Sequence, residues 1–314
     1  MTDSGVRLLA LTILFPVLLV VALAVALIGC DAQLKPGQML ATVSAPFGIA
    51  VDSTTVYVSQ VQLAPLMTVP VAGGAVSPIG IQAEGHGIAV DEQRLYWADG
   101  NFLLACEKSN CTASIVKLAP VPFFVTGIVV DATSVYWTAG VGDVGRGGVM
   151  KVDKLGGTPV EIATAKWPYD VAVDATNVYW IEQVQPNSGV LKAPIGGGPA
   201  VQLAVSDPIE PMGIALDDDR VYFGDGEGTI FAVPKGGGPT QVVASNLGDF
   251  PAGIATDATT LYIAASTKLV SVPLGGGMVR TLATGIAAAG GMALDATSIY
   301  VTDEGGNAIV RVGK

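Results

Sequence analysis

Gly213-Ile214-Ala215-Leu216-Asp217-Asp218-Asp219-Arg220-Val221-Tyr222-Phe223 reads as two short strands joined by a polar turn. The four apolar residues before Asp217 suit a strand covered on both faces. Asp217 then opens a turn, where a short carboxylate can accept from backbone amides just beyond it. Val221-Tyr222-Phe223 is β-branched and aromatic, the composition of a second strand.

The same pattern recurs along the chain. Its Asp falls at Asp52, Asp91, Asp131, Asp174, Asp217, Asp257 and Asp295, and a Tyr follows at Tyr57, Tyr96, Tyr136, Tyr179, Tyr222, Tyr262 and Tyr300. Seven copies at about 40 residues each are the mark of a repeat architecture. Asp170 stands where the other copies place Gly at the start of the pattern. Each copy then offers a third strand ending in forms such as Ala-Val-Pro, a glycine-rich turn, and a fourth strand ending in Leu-Ala or Val-Ala. The glycine pairs at Gly73-Gly74, Gly156-Gly157, Gly196-Gly197, Gly236-Gly237 and Gly275-Gly276 precede no helical pattern, so hairpin turns explain them better than phosphate loops. The fold expected is all-β: a β-propeller of seven four-stranded blades, with six as the runner-up. The seventh copy lacks a fourth strand. Gln38-Met39-Leu40-Ala41-Thr42 matches Arg280-Thr281-Leu282-Ala283-Thr284 and is expected to supply it, closing the ring.

The N-terminal segment differs from all of this. Leu8 to Ile28 is interrupted only by Thr12 and Pro16 and is flanked by Arg7. It reads as a targeting segment rather than part of the fold. It ends in Leu27-Ile28-Gly29-Cys30, which resembles the lipobox of bacterial lipoproteins. The resemblance implies a signal peptide over 1–29, a lipid on Cys30, a short linker over 30–37 and a propeller over 38–314. It further implies export and attachment to a bacterial membrane, at its periplasmic face or at the cell surface. An uncleaved transmembrane helix is the alternative.

Tyr96-Trp97-Ala98-Asp99 resembles the Tyr-Trp-Thr-Asp repeat of lipoprotein-receptor propellers, with Tyr136-Trp137-Thr138-Ala139, Tyr222-Phe223-Gly224-Asp225 and Tyr300-Val301-Thr302-Asp303 as degenerate relatives. The chain also resembles NHL and TolB-like propellers and the uncharacterised lipoprotein propellers of myxobacteria. These families include binding modules, lyases and lactonases, so the resemblance carries the fold further than the function.

The net charge of −11 and the absence of a Lys/Arg cluster exclude a nucleic-acid partner. His86 is the single histidine, which rules out any mechanism needing two imidazoles. Cys106 and Cys111 bracket the turn where other copies use Gly-Gly, and a disulfide is the natural reading in an oxidising compartment. Two thiols alone make only half a zinc site. No cofactor is expected, with Ca2+ the one ion left open.

The reading favours a monomeric, membrane-anchored binding or scaffold propeller whose ligand is a protein or a small molecule. A metal-dependent lyase or lactonase and a purely structural envelope protein are the alternatives. The ligand is expected at one channel mouth. There the repeat stops repeating, at Phe47, His86, Thr126, Tyr169, Met212, Ala252 and Gly290. The turns between second and third strands add Asp99, Asn101, Asp143, Arg146, Glu182, Asp225, Glu227, Asp303 and Glu304 as an acidic rim. Such a mouth suits a cation, a basic peptide or a polar small molecule.

Overall fold

A computed structural model describes residues 37–314, apart from 84, 86, 122–123, 142–145, 185–187, 206–210, 249 and the side chains of 141 and 146. The strands form seven sheets of four antiparallel strands, six of them in chain order and one joining the first strand to the last three. We label the strands of each blade A to D. Blade 4, for example, runs through A (Pro168–Val173), B (Asn177–Glu182), C (Gly189–Pro194) and D (Val201–Val205). Strand A of each blade packs on strand A of the next, and that of blade 7 (Ala289–Leu294) packs on that of blade 1 (Pro46–Val51). The protein is a seven-bladed β-propeller.

Closure is as the sequence suggests. Gln38–Thr42 pairs antiparallel with Ala308–Gly313, placing Gln38 opposite Arg311 and Thr42 opposite Ala308, and so becomes strand D of blade 7. Meander connectivity puts the A–B and C–D turns at one face of the ring and the B–C and D–A loops at the other.

The core lies between blades. Trp97, Trp137 and Trp180 are fully buried, as are Tyr96, Tyr136, Tyr179, Tyr222 and Tyr300. Trp97 packs with Ala50, Tyr57 and Ile81 of blade 1, and its indole N–H donates to the Gln82 carbonyl at 2.9 Å. Truncating so large a buried ring to alanine is expected to cost about 3–5 kcal/mol.

The repeated Asp has one job in all seven copies. Its Oδ1 accepts from the amides two and three residues on, and its Oδ2 accepts the hydroxyl of the Tyr five residues on. In blade 4 these donors are Thr176, Asn177 and Tyr179, with the last bond at 2.8 Å. In four blades a lysine just beyond strand C of the next blade completes the cluster: Lys108 on Asp52, Lys154 on Asp91, Lys235 on Asp174 and Lys314 on Asp257. Burial alone would raise these carboxyls. The hydrogen bonds outweigh it, and Asp52 and Asp91 are held at about 2. The same burial, with the Asp charge beside it, pushes Tyr136 up to about 12.

The C–D turns confirm the hairpin reading of the glycines. Two successive residues at positive φ are needed, and in the triplet of blade 4 the last two supply them, Gly197 at 87° and Gly198 at 148°. Blade 2 is different. A 3-10 turn over Lys108–Ala113 replaces the glycines, and a disulfide joins Cys106 to Cys111.

Candidate functional site: the central channel

The channel wall is built from the start of strand A in each blade. Neighbouring A strands approach so closely there that side chains are squeezed out. A Cβ on Gly253 would lie 2.9 Å from the Cβ of Met292 in the next blade, and one on Gly127 would lie 3.1 Å from Cγ1 of Val171. Glycine at this point of the repeat therefore reflects ring packing. In every blade but the fourth the next residue is apolar and lines a cavity of about 230 Å³, to which all seven blades contribute. Ile49, Ile88, Ile128, Ile214, Ile254 and Met292 supply apolar side chains to a wall that is otherwise largely polar.

Blade 4 breaks the pattern. Asp170 occupies the glycine position and lines the cavity. Its Oδ1 accepts from the amide of Val171 at 2.8 Å, and its Oδ2 accepts from the amide of Ile214, in blade 5, at 3.0 Å. Among the described residues no Lys or Arg is paired with it. Burial pushes its carboxyl up to about 6, against the partial relief of the two amides. Tyr169 beside it is raised too, first by burial and then by the Asp170 charge.

Of the residues expected at this mouth, Thr126, Tyr169 and Ala252 line the cavity. The Thr126 hydroxyl donates to the Pro168 carbonyl at 2.8 Å, tying blade 3 to blade 4. Phe47 and Met212 lie half-buried in strand A of blades 1 and 5 and are not part of the cavity wall. The Phe47 carbonyl accepts the Thr302 hydroxyl at 2.9 Å. Gly290 packs beside Phe47. Cys30, His86, Asp143 and the Arg146 side chain lie outside the described residues.

Four of the acids expected as a rim serve their own loops, while Glu227 and Glu304 are exposed. Asp99 accepts from the amides of Asn101 and Phe102. Glu182, Asp225 and Asp303 are buried. Glu182 accepts from the Lys166 amide and the Trp180 indole, and Asp225 from the amides of Glu227 and Thr229. Asp303 accepts from Ala287, Ala288 and Gly306. The tight B–C turns and D–A loops leave amides without strand partners, and these carboxylates satisfy them.

Three exposed aromatic residues escaped the sequence reading: Phe124, Trp167 and Phe250. Each stands three residues before the glycine position of its blade, on the D–A side of the ring. Trp167 holds a φ of 46°, unusual for a bulky residue. Among the described residues no group of three His, Cys, Asp or Glu could hold a metal ion.

No protein-family profile matches the sequence, and no curated protein matches it either. Solved structures share the fold. A streptogramin B lyase superposes with a TM-score of 0.71 at 13% identity, covering 88% of this chain and 96% of its own. A gluconolactonase from Xanthomonas campestris gives 0.56 at 17% identity, covering 89% and 98%. BamB from Moraxella catarrhalis gives 0.55 at 12% identity, covering 86% of each. At these identities the likeness is one of fold.

Proposed function

We propose that this chain is an exported propeller, attached to a bacterial membrane through Cys30, that binds its ligand in the mouth of the central channel. The observation that carries the binding reading is the cavity itself. All seven blades contribute to it, and its wall joins isoleucine and methionine side chains to polar groups, the Asp170 carboxylate among them. A concave pocket in which polar groups converge beside a few apolar side chains can hold and orient a small ligand. A rigid ring with no cluster of potential metal ligands among its described residues suits recognition better than metal-assisted hydrolysis.

The test is photo-crosslinking in the native membrane. Benzoylphenylalanine at Phe250 would report on the channel side, and at Gly236, in a C–D turn, on the opposite face. Adducts from position 250 and none from 236 are expected, and the reverse would move the binding site to the other face. In the same cells, labelled palmitate should enter the wild-type protein and not Cys30→Ser. Equal labelling would remove the anchor.

A further inference from the structure

We propose that the central channel is a receptor for a small organic ammonium ion, seated with its nitrogen against Asp170 and its carbon frame against the strand A isoleucines. This deepens the channel reading above and rests on it.

Asp170 is not needed to close the ring, because glycine occupies the equivalent place in the other six copies. Its two amide partners fill two of the roughly four acceptor positions a carboxylate offers. The remaining positions have no basic partner among the described residues, and the carboxylate borders the cavity. An ionised carboxylate in such surroundings gains most from a cation that brings its own apolar cover, since attraction strengthens as water is excluded.

The other ligand classes fit less well. An anion would be repelled. A divalent metal wants several oxygen ligands, and among the described residues one carboxylate lines the cavity. At about 230 Å³ the cavity lies below the roughly 300–1,000 Å³ of drug-sized pockets, so it suits a small amine. Phe124, Trp167 and Phe250 stand exposed at equivalent places on the face where the D–A loops lie. Aromatic faces attract organic cations, and these residues are placed to do so outside the channel.

The experiment is calorimetric titration of the detergent-solubilised full chain with benzylammonium and with benzyl alcohol, its neutral counterpart of similar shape. Benzylammonium should bind in a one-to-one ratio and at least tenfold more tightly than the alcohol. Asp170→Asn should weaken the amine tenfold or more and leave the alcohol unchanged. Asp170→Gly, which restores the residue of the other six copies, should do the same with the fold intact by circular dichroism. The proposal is overturned if wild-type protein gives no heat with millimolar benzylammonium, if it binds the alcohol as tightly, or if both variants bind the amine as wild type does. None of these outcomes alters crosslinking from Phe250, so the channel reading fails or stands separately.

Discussion

Asp170 lies within strand A of blade 4 and Asp174 just beyond its end, four residues on, and their carboxyls move in opposite directions. Burial is the largest influence on each and by itself raises both. At Asp174 the amides of Thr176 and Asn177, the Lys235 ammonium and the Tyr179 hydroxyl overcome it, and the carboxyl falls well below the usual range. At Asp170 only two amides oppose burial, and the carboxyl rises to about 6. One environment is repeated seven times around the ring and holds turns and blades together. The other occurs once, on the channel. Depth and partners together decide the sign: Asp170 is the more deeply buried and has fewer donors, and its carboxylate is the one that borders the channel.

Of the substitutions that test this contrast, removing Asp174 should produce the largest effect. Asp174→Ala strands two turn amides and the hydroxyl of a buried tyrosine, and it leaves Lys235 without its counter-ion. A loss of about 3 kcal/mol is expected, read by urea denaturation, because unsatisfied buried donors cost more than the bonds they once made. A loss below about 1 kcal/mol would show that water or neighbouring groups replace the carboxylate readily, and the two aspartates would then differ less than their surroundings suggest.

Asp170→Asn should act more weakly and in the other direction. A carboxyl whose folded value lies above its unfolded one favours the fold while protonated. That contribution is complete below about pH 4 and is lost as pH rises through about 6. Relative to wild type, the Asn variant should therefore gain stability between pH 4 and pH 8. The gain is about 2 kcal/mol, after allowance for solvent reaching the carboxylate through the channel. Thermal melting across that range checks it, and parallel profiles would remove the contrast. The repeated aspartates have the reverse sign. Their contribution is complete above about pH 4 and falls away towards pH 2, where Asp52 and Asp91 titrate. Acid unfolding of both proteins is expected in that window.

The two environments were not equally legible in the sequence. Seven spaced Asp–Tyr pairs define the blades, and the likeness of Gln38–Thr42 to Arg280–Thr284 locates the closing strand, because a repeat displays its own missing part. The turn role of the Asp followed from its place after an apolar run. The tyrosine and lysine that complete its cluster did not, since the lysine arrives from the next blade. At the channel, Thr126, Tyr169 and Ala252 were found from their variability within the repeat. Phe47 and Met212 were not separable from them, because the A–B pairing shifts register at the start of strand A and obscures which positions share a side. Acidic residues in B–C turns looked like a charged rim because sequence shows the carboxylates and hides the amides awaiting them. Asp170 was visible as a departure from glycine, but its meaning depends on how near blade 5 comes.

The smallest effect tests how much the charge partner adds to the repeated cluster. Asp131 has the same two amide bonds and the same tyrosine bond as Asp174, yet among the described residues no lysine pairs with it. The residue of blade 4 equivalent to Lys235 is Ile195, and Leu274 and Val71 hold that place in blades 6 and 1. The ring thus accepts an apolar side chain there without losing its geometry. Lys235 lies 2.9 Å from Asp174, both are mostly buried, and its ammonium sits 5.6 Å from the centre of the Tyr179 ring. Much of the attraction in such a pair is offset by the cost of stripping water from both ions. Lys235→Met keeps the volume and leaves Asp174 with the partners that suffice at Asp131. A loss of about 1 kcal/mol or less is expected, and carbon-detected NMR titration should find the Asp174 carboxyl shifted upward, towards its ordinary range. A loss as large as that of Asp174→Ala would make the inter-blade lysine, rather than the turn amides, the principal support of this end of the strand.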